Sequence, residues 1–352
     1  MRVNCLGIIL LSYFGFMNST ASQPCEFSNP CREITGAVFD DSPTLCESVT
    51  GFDPDFTIRP NTYASSIDGN IWYGLTGIFY NVDILVQGNF YIDESIYFSN
   101  CRIKMAAGAQ IIVTTQEFKT ELRAVLTKFY SCDDMWKGIV FQSGTRCTLT
   151  RCHIEDAQFA LTIGNLVSLS LNNNLFNRNF VGITNASGVT SLPILLLKNN
   201  TFDCTSELSD YYDLDFSCCD EDSVSFAGIL LNNCSSSIGY YGSRNRFNSL
   251  NYGIFANNAT VNIQGCEFRD AQHGTIIPDL IQDYPIEGCG VAGLNSNIQI
   301  LGDTEYLDCT FENADILVFG TNLFVSFVKL VDGVIAVQEN FNGETVSIED
   351  NK

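Results

Sequence analysis

The chain has 352 residues, with 40 acidic side chains against 18 basic ones, a net charge of −22 and only two histidines. Such an acidic balance argues against nucleic acid and anionic membrane as natural partners. A hydrophobic fraction of 45% supplies a sizeable core and excludes a disordered acidic chain.

Residues 1–22 hold Arg2, an apolar run from Leu6 to Phe16, and then small residues ending near Ala21. That order predicts a secretory signal peptide, and the run is too short for a membrane span. No other segment has the length and apolarity of a span, so a secreted or cell-surface protein is expected. Of the 15 cysteines, Cys5 leaves with the signal, and an even number remains for disulfides in an oxidising compartment. The lack of paired CxxC and the scarcity of histidine exclude zinc–thiolate sites.

Residues 23–80 contain Cys25, Cys31 and Cys46 and show no repeat. They are predicted to cap the first turn of a repeating region, where strand edges would otherwise be open. The repeat emerges from residue 81. If Cys101, Cys152, Asn174, Asn200, Asn245, Cys266 and Cys309 are each taken as position zero, an apolar residue stands two places later in every copy: Ile103, Ile154, Phe176, Phe202, Phe247, Phe268 and Phe311. Tyr130 fits as a degenerate copy. A small residue tends to appear eight places on, as in Ala160, Gly182, Gly253 and Gly274. The near-identical stretches CEFRDAQHG, at Cys266, and CHIEDAQFA, at Cys152, are thus two copies of a scaffold unit.

Polar and apolar residues alternate within each copy, the period of a strand. A step of about 22 residues with Asn and Gly at the joints predicts a solenoid. Residues 81–352 are therefore read as all-β stacked coils, with insertions near 206–224 and 276–296. Stacked coils bring position-zero residues one strand spacing apart, about 4.8 Å, so Asn side chains can pass hydrogen bonds from coil to coil. Cys fits the same small buried slot, and Cys266 and Cys309 are expected to lie side by side, as stacked thiols rather than a disulfide. The small residue eight places on is expected to mark a bend of positive φ.

The Asn/Cys column, the [NC]-x-[FI] step and the Gly-Ile step resemble the right-handed parallel β-helix of the pectin-lyase-like superfamily over roughly residues 80–352. GNFYIDESIYFSNCRIKMAAGAQI, MWKGIVF and NTFDC are also similar to exported β-helix repeat proteins of Bacteroidetes. The resemblance implies fold rather than activity. Polygalacturonase-type members use Asp clusters, His-Gly and Arg-Ile-Lys. Asp133-Asp134, His273-Gly274 and Arg102-Ile103-Lys104 are present, but in the wrong order and without Asn-Thr-Asp. A lyase would need Ca²⁺ and a base. Arg244, Arg246 and Arg269 line up near the ladder, where a solvated face explains them. His153, beside the inward Ile154, is expected to point to solvent.

No catalytic or cofactor-binding residues are therefore assigned. The one metal candidate is the acidic insertion, where Asp213, Asp215, Asp220 and Asp222 offer hard oxygen ligands of the kind Ca²⁺ takes. Their spacing matches no EF-hand, so a solvated loop is the favoured reading. The functional expectation is a binding or adhesive module directed at carbohydrate, with a polysaccharide lyase or glycoside hydrolase, or a plain stalk, as alternatives. Val346 and Ile348 precede Asn351 as Val261 and Ile263 precede Cys266, which predicts that the chain stops partway through a coil.

Overall fold

The computed structural model describes residues 9–10, 44–49, 51–67, 77–115, 119–192, 196–210, 224–240, 242–271, 288–302, 309–320, 322–326, 328–338 and 346–349. They form a right-handed parallel β-helix. Every strand pairing in the sheets is parallel, and strands follow one another around three faces. The longest face has twelve strands, starting at Thr62–Tyr63. The ladder face has eleven, from Phe56–Ile58 to Val328–Val331. The third face divides into sheets of six and five strands, which meet near the Ser191–Ser235 bridge.

The stack begins before residue 81. Phe56–Ile58, Thr62–Tyr63 and Ile78–Tyr80 each pair with a strand of the next coil, so part of the expected cap is itself a coil. Cys25 and Cys31 lie outside the described residues. Cys289–Leu294 is a strand of the longest sheet, paired with Tyr252–Asn257, so these residues belong to a coil and not to the insertion expected over 276–296; residues 272–287 lie outside the described residues. After the acidic insertion the chain is back in register at Ile229, beside Ile183 and Ile254.

The position-zero column is present and buried. Asn174 and Asn200 present their amide oxygens and nitrogens along the stack. Asn200 Oδ1 accepts from Asn174 N at 3.0 Å and from Asn174 Nδ2 at 2.9 Å, while Asn200 Nδ2 donates to Leu171 O at 3.0 Å. Asn245 repeats the pattern one coil on, and Cys152 N donates to Asn174 Oδ1. The degenerate copy has a different register, because Phe129 pairs with Ile154. Position zero there is Thr127, not Tyr130, and its hydroxyl accepts weakly from Cys101 N and donates to Val125 O. Cys266 and Cys309 stack as free thiols, since Glu267 pairs with Thr310.

Inside the ladder lies a ring stack. Centroid separations are 4.7 Å for Phe176–Phe202, 4.8 Å for Phe202–Phe247, 5.0 Å for Phe247–Phe268 and 4.5 Å for Phe268–Phe311. The spacing is that of the strands, so the sheet dictates the stack, and each buried ring contributes about 2–3 kcal/mol. The Gly column serves these rings. A Cβ on Gly182, Gly228, Gly253 or Gly290 would stand 2.6–2.8 Å from a Phe Cδ1 atom. These four do not have the expected positive φ; they are Gly because the ring needs the space. Gly138 alone in the column has one, 101°, and Gly274 lies outside the described residues.

Left-handed backbone occurs instead at the corners. The residue before position zero has φ of 53–55° at Asn81, Asn100, Leu126, Arg151, Asn173 and Asn199. A second such column holds Asp156, Arg178, Ser249, Asp270, Asn313 and Asp332, and a third holds Asn233, Asn258 and Asn295. Asn and Asp tolerate this conformation best among residues with a Cβ, which explains much of the Asn content.

Asn200→Ala should strand the Leu171 carbonyl and the Asn174 amide in the core and destabilise the protein by about 3–5 kcal/mol in a denaturant melt, while Asn200→Cys costs less. Gly228→Ala should lower stability by about 1–3 kcal/mol, because its Cβ would meet both Phe247 and the Gly253 carbonyl. Adding Phe247→Leu should recover only the ring's share.

Candidate functional site

Along the corner between the third face and the ladder face runs a groove of about 500 Å³, continuing into a recess of about 320 Å³ that shares Asn100, Leu126 and Lys128 with it. Two columns build its walls. One is the left-handed corner column from Asn81 to Asn199. The other is the first outward position of the ladder strands: Asp83, Arg102, Lys128, His153, Leu175 and Thr201. Outward position follows from strand alternation, since Ile84, Ile103, Phe129, Ile154, Phe176 and Phe202 next to them point inward.

The electrostatics of the groove differ from those of the whole chain. Asp83 is bound on both oxygens by Arg102, through Nε and NH2. Lys128 and Arg151 have no carboxylate partner among the described residues. The groove therefore presents amides, a hydroxyl and two unneutralised cations, on a protein of net charge −22.

Beneath the far lip lies a buried polar network. His153 does not simply point to solvent: its side chain is 21% exposed, and Nε2 stands 2.8 Å from Glu155 Oε2. Glu155 is fully buried. Its Oε1 accepts from Leu45 N at 2.8 Å, and Oε2 accepts from Asn177 Nδ2 at 3.3 Å. Arg178 NH2 lies 3.0 Å from Asp156 Oδ1, and Ser209 Oγ donates to the same oxygen at 2.9 Å. Burial pushes the Asp156 carboxyl up to about 7. Arg178 opposes the shift, Glu155 adds to it, and the Ser209 hydrogen bond opposes it.

A strap covers this network. Leu45–Ser48 is a single helical turn closed by a capping box, in which Glu47 N donates to Thr44 Oγ1 and Thr44 N donates to Glu47 Oε2. Leu45 is buried, Cys46 is bonded to Cys132, and Phe52 packs edge-on against Tyr130 at 6.3 Å.

The other motifs weighed from the sequence are only partly covered by the described residues. Asp133 and Asp134 sit in a turn after Tyr130, and Arg102 is committed to Asp83. His273 and Gly274 lie outside the described residues, as do Asp213, Asp215, Asp220 and Asp222. Among the described residues no cluster of three His, Cys, Asp or Glu could hold a metal. Arg246 and Arg269 share Glu267, and Arg269 also reaches Glu312 at 3.5 Å, all with half-exposed guanidinium groups. That is the solvated charged face expected of them. Sequence reading missed Lys128, Arg151, Glu155 and Arg178. The visible hint was that polar residues at one outward position recur coil after coil.

No protein-family model matches the chain, and no curated protein matches it. Among solved structures it is similar to the catalytic domain of a GH87 α-1,3-glucanase in complex with tetrasaccharides, at 14% identity and a TM-score of 0.29. The alignment covers 75% of this chain and 63% of that one, so this chain spans less than two thirds of the matched domain. No described helix is long and apolar enough to cross a membrane.

Asp156 gives a test of the network. Its folded pKa, about 7, lies above the ordinary 3.8, so the fold favours the neutral acid. Stability from this group is full below the ordinary value and is lost as pH rises through the folded one. Denaturant melts between these two values should show stability falling as pH rises, by a few kcal/mol at most. Asp156→Asn should flatten that slope.

Proposed function

We propose that the chain is an exported β-helix module that binds carbohydrate along the corner groove, and that it acts by adhesion or recognition rather than catalysis. The observation that carries this reading is the composition of the groove. It offers amide donors and acceptors and two unpaired cations over several coils, and its only carboxylate, Asp83, is consumed by Arg102. Glycosidic cleavage by the usual route needs two available carboxylates flanking the bond. The nearest candidates, Glu155 and Asp156, are both buried, Glu155 beneath the strap.

A groove parallel to the coil axis suits a linear polymer, because equivalent donors recur every strand spacing, about 4.8 Å. Lys128 and Arg151 favour sugars bearing carboxylate or sulfate, while the acidic remainder of the surface repels them and restricts binding to this site. The signal-like residues 1–22 support export, and the recurring unit supports an extended display element.

Binding to immobilised acidic and neutral polysaccharides tests the proposal. The expected result is salt-sensitive binding that falls about tenfold or more in Lys128→Ala/Arg151→Ala, without a change in melting temperature. Release of reducing ends or of unsaturated products from any of these polymers would overturn the non-catalytic reading in favour of a hydrolase or a lyase.

A further inference from the structure

Among the described residues the strap is tied down at a small number of points, and two polar groups beneath it lack partners. Residues 44–49 and 51–52 meet the coils through the Leu45 N to Glu155 hydrogen bond, the Cys46–Cys132 bond, the Phe52–Tyr130 contact, the Arg102 guanidinium 5.9 Å from the Phe52 ring centroid and a 3.4 Å hydrogen bond from Arg102 to Gly51 O. Below lie Tyr130, whose hydroxyl has no partner among the described residues although the residue is 1% exposed, and Arg178, whose Nε is likewise buried and without a partner among them. Natural interiors rarely leave such groups unpaired, and an ordered water, an ion or a functional role commonly accounts for those that are. Burial also pushes the Tyr130 hydroxyl up to about 12. Through His153 this polar chamber adjoins the groove, because the same imidazole lines the groove and contacts Glu155.

The described cysteines divide into two kinds. Cys101, Cys147, Cys152, Cys204, Cys234, Cys266, Cys289 and Cys309 are free and buried in the coils. Desolvation raises the pKa of the thiols on which it acts here, as at Cys152 and Cys204, both held at about 11, so little thiolate is available for exchange. Cys46 and Cys132 are only half-buried, at the protein surface, and link the strap to the turn after the Tyr130 strand.

We propose that residues 44–49 and 51–52 belong to a removable cover, latched by Cys46–Cys132, over a second polar site comprising Glu155, His153, Tyr130 and Arg178. Opening is a thiol–disulfide exchange. A dithiol reductant supplies two electrons and two protons, the Cys46–Cys132 bond breaks, both sulfurs leave as thiols, and the reductant closes its own disulfide. The Leu45 amide then leaves Glu155 Oε1. The uncovered carboxylate, imidazole and phenol form a donor–acceptor surface that extends the groove across the ladder face, and a hydroxyl-bearing ligand or water takes the place of the Leu45 N–H. Opening does not depend on what the groove binds.

The test compares the untreated chain, the chain treated with dithiothreitol, and Cys46→Ser/Cys132→Ser, using hydrogen exchange and peptide-mapped alkylation. The expected result is alkylation of Cys46 and Cys132 with the eight coil thiols spared. Exchange in peptides covering 44–52 should rise about tenfold or more in both the reduced chain and the double variant, with the ladder strands still protected. Tyr130 should become open to nitration under the same conditions. If the strap stays protected in both samples, the disulfide is not the latch. If the ladder strands lose protection together with the strap, the bond is a staple of the whole solenoid. Either outcome overturns the proposal.

Discussion

The structure depends on one constraint: at each corner the backbone must turn while every coil lies a single strand spacing from the next. At most of these corners a residue with φ near +50° stands directly before position zero, Arg244 before Asn245 being an exception, and the turn leaves carbonyls and amides that no strand ladder satisfies. The side chain at position zero closes that account. Asn174 and Asn200 do so with two-way amide bonds to the neighbouring coils, Thr127 with its hydroxyl, and Cys101, Cys152 and Cys266 with a thiol directed at the carbonyl two residues back. The same device recurs elsewhere. Asn179 serves Ala157 N and Ile154 O, and Asn185 bonds to Asn232 across adjacent coils of the longest sheet.

Fixing the corners fixes the interior. Once position zero is in register, the residue two places on must point inward, and its ring must stack at the strand spacing. The opposite strand then has to yield volume to the ring, as Gly182, Gly228, Gly253 and Gly290 do. Corner, ring and glycine thus form one unit in the coils that carry Phe202, Phe247, Phe268 and Phe311. The uniformity of that unit leaves the outward positions free to vary, and the groove lies along them.

The groove and the covered chamber are two uses of one ladder sheet. Lys128 and His153 occupy the first outward position, and Tyr130 and Glu155 occupy the next, two residues along the same strands. The strap lies over the second row, touches the first at Arg102 and leaves Lys128 to the open groove. A chain with 22 more acidic than basic side chains thereby keeps unpaired cations beside the open row and withdraws Glu155 and Asp156 beneath cover.

Much of the scaffold was legible in the sequence, because a stacked repeat writes the same local rule many times. Asn174, Asn200 and Asn245 with Phe176, Phe202 and Phe247 announced parallel coils, an inward ring column and a buried polar column. Where the rule was diluted, reading failed. Thr127 was missed in favour of Tyr130, and the Gly column was ascribed to backbone conformation when side-chain volume in the next coil demanded it. The site was not legible at all. Glu155 contacts Leu45, 110 residues away, and Cys46 joins Cys132 across 86, pairings that no periodicity encodes. The sequence alone determined the coil and its stacking, since these follow from local alternation and repetition. Only the tertiary structure decided which outward residues share a groove and which carboxylates are covered, because those depend on where a non-repeating strap comes to rest.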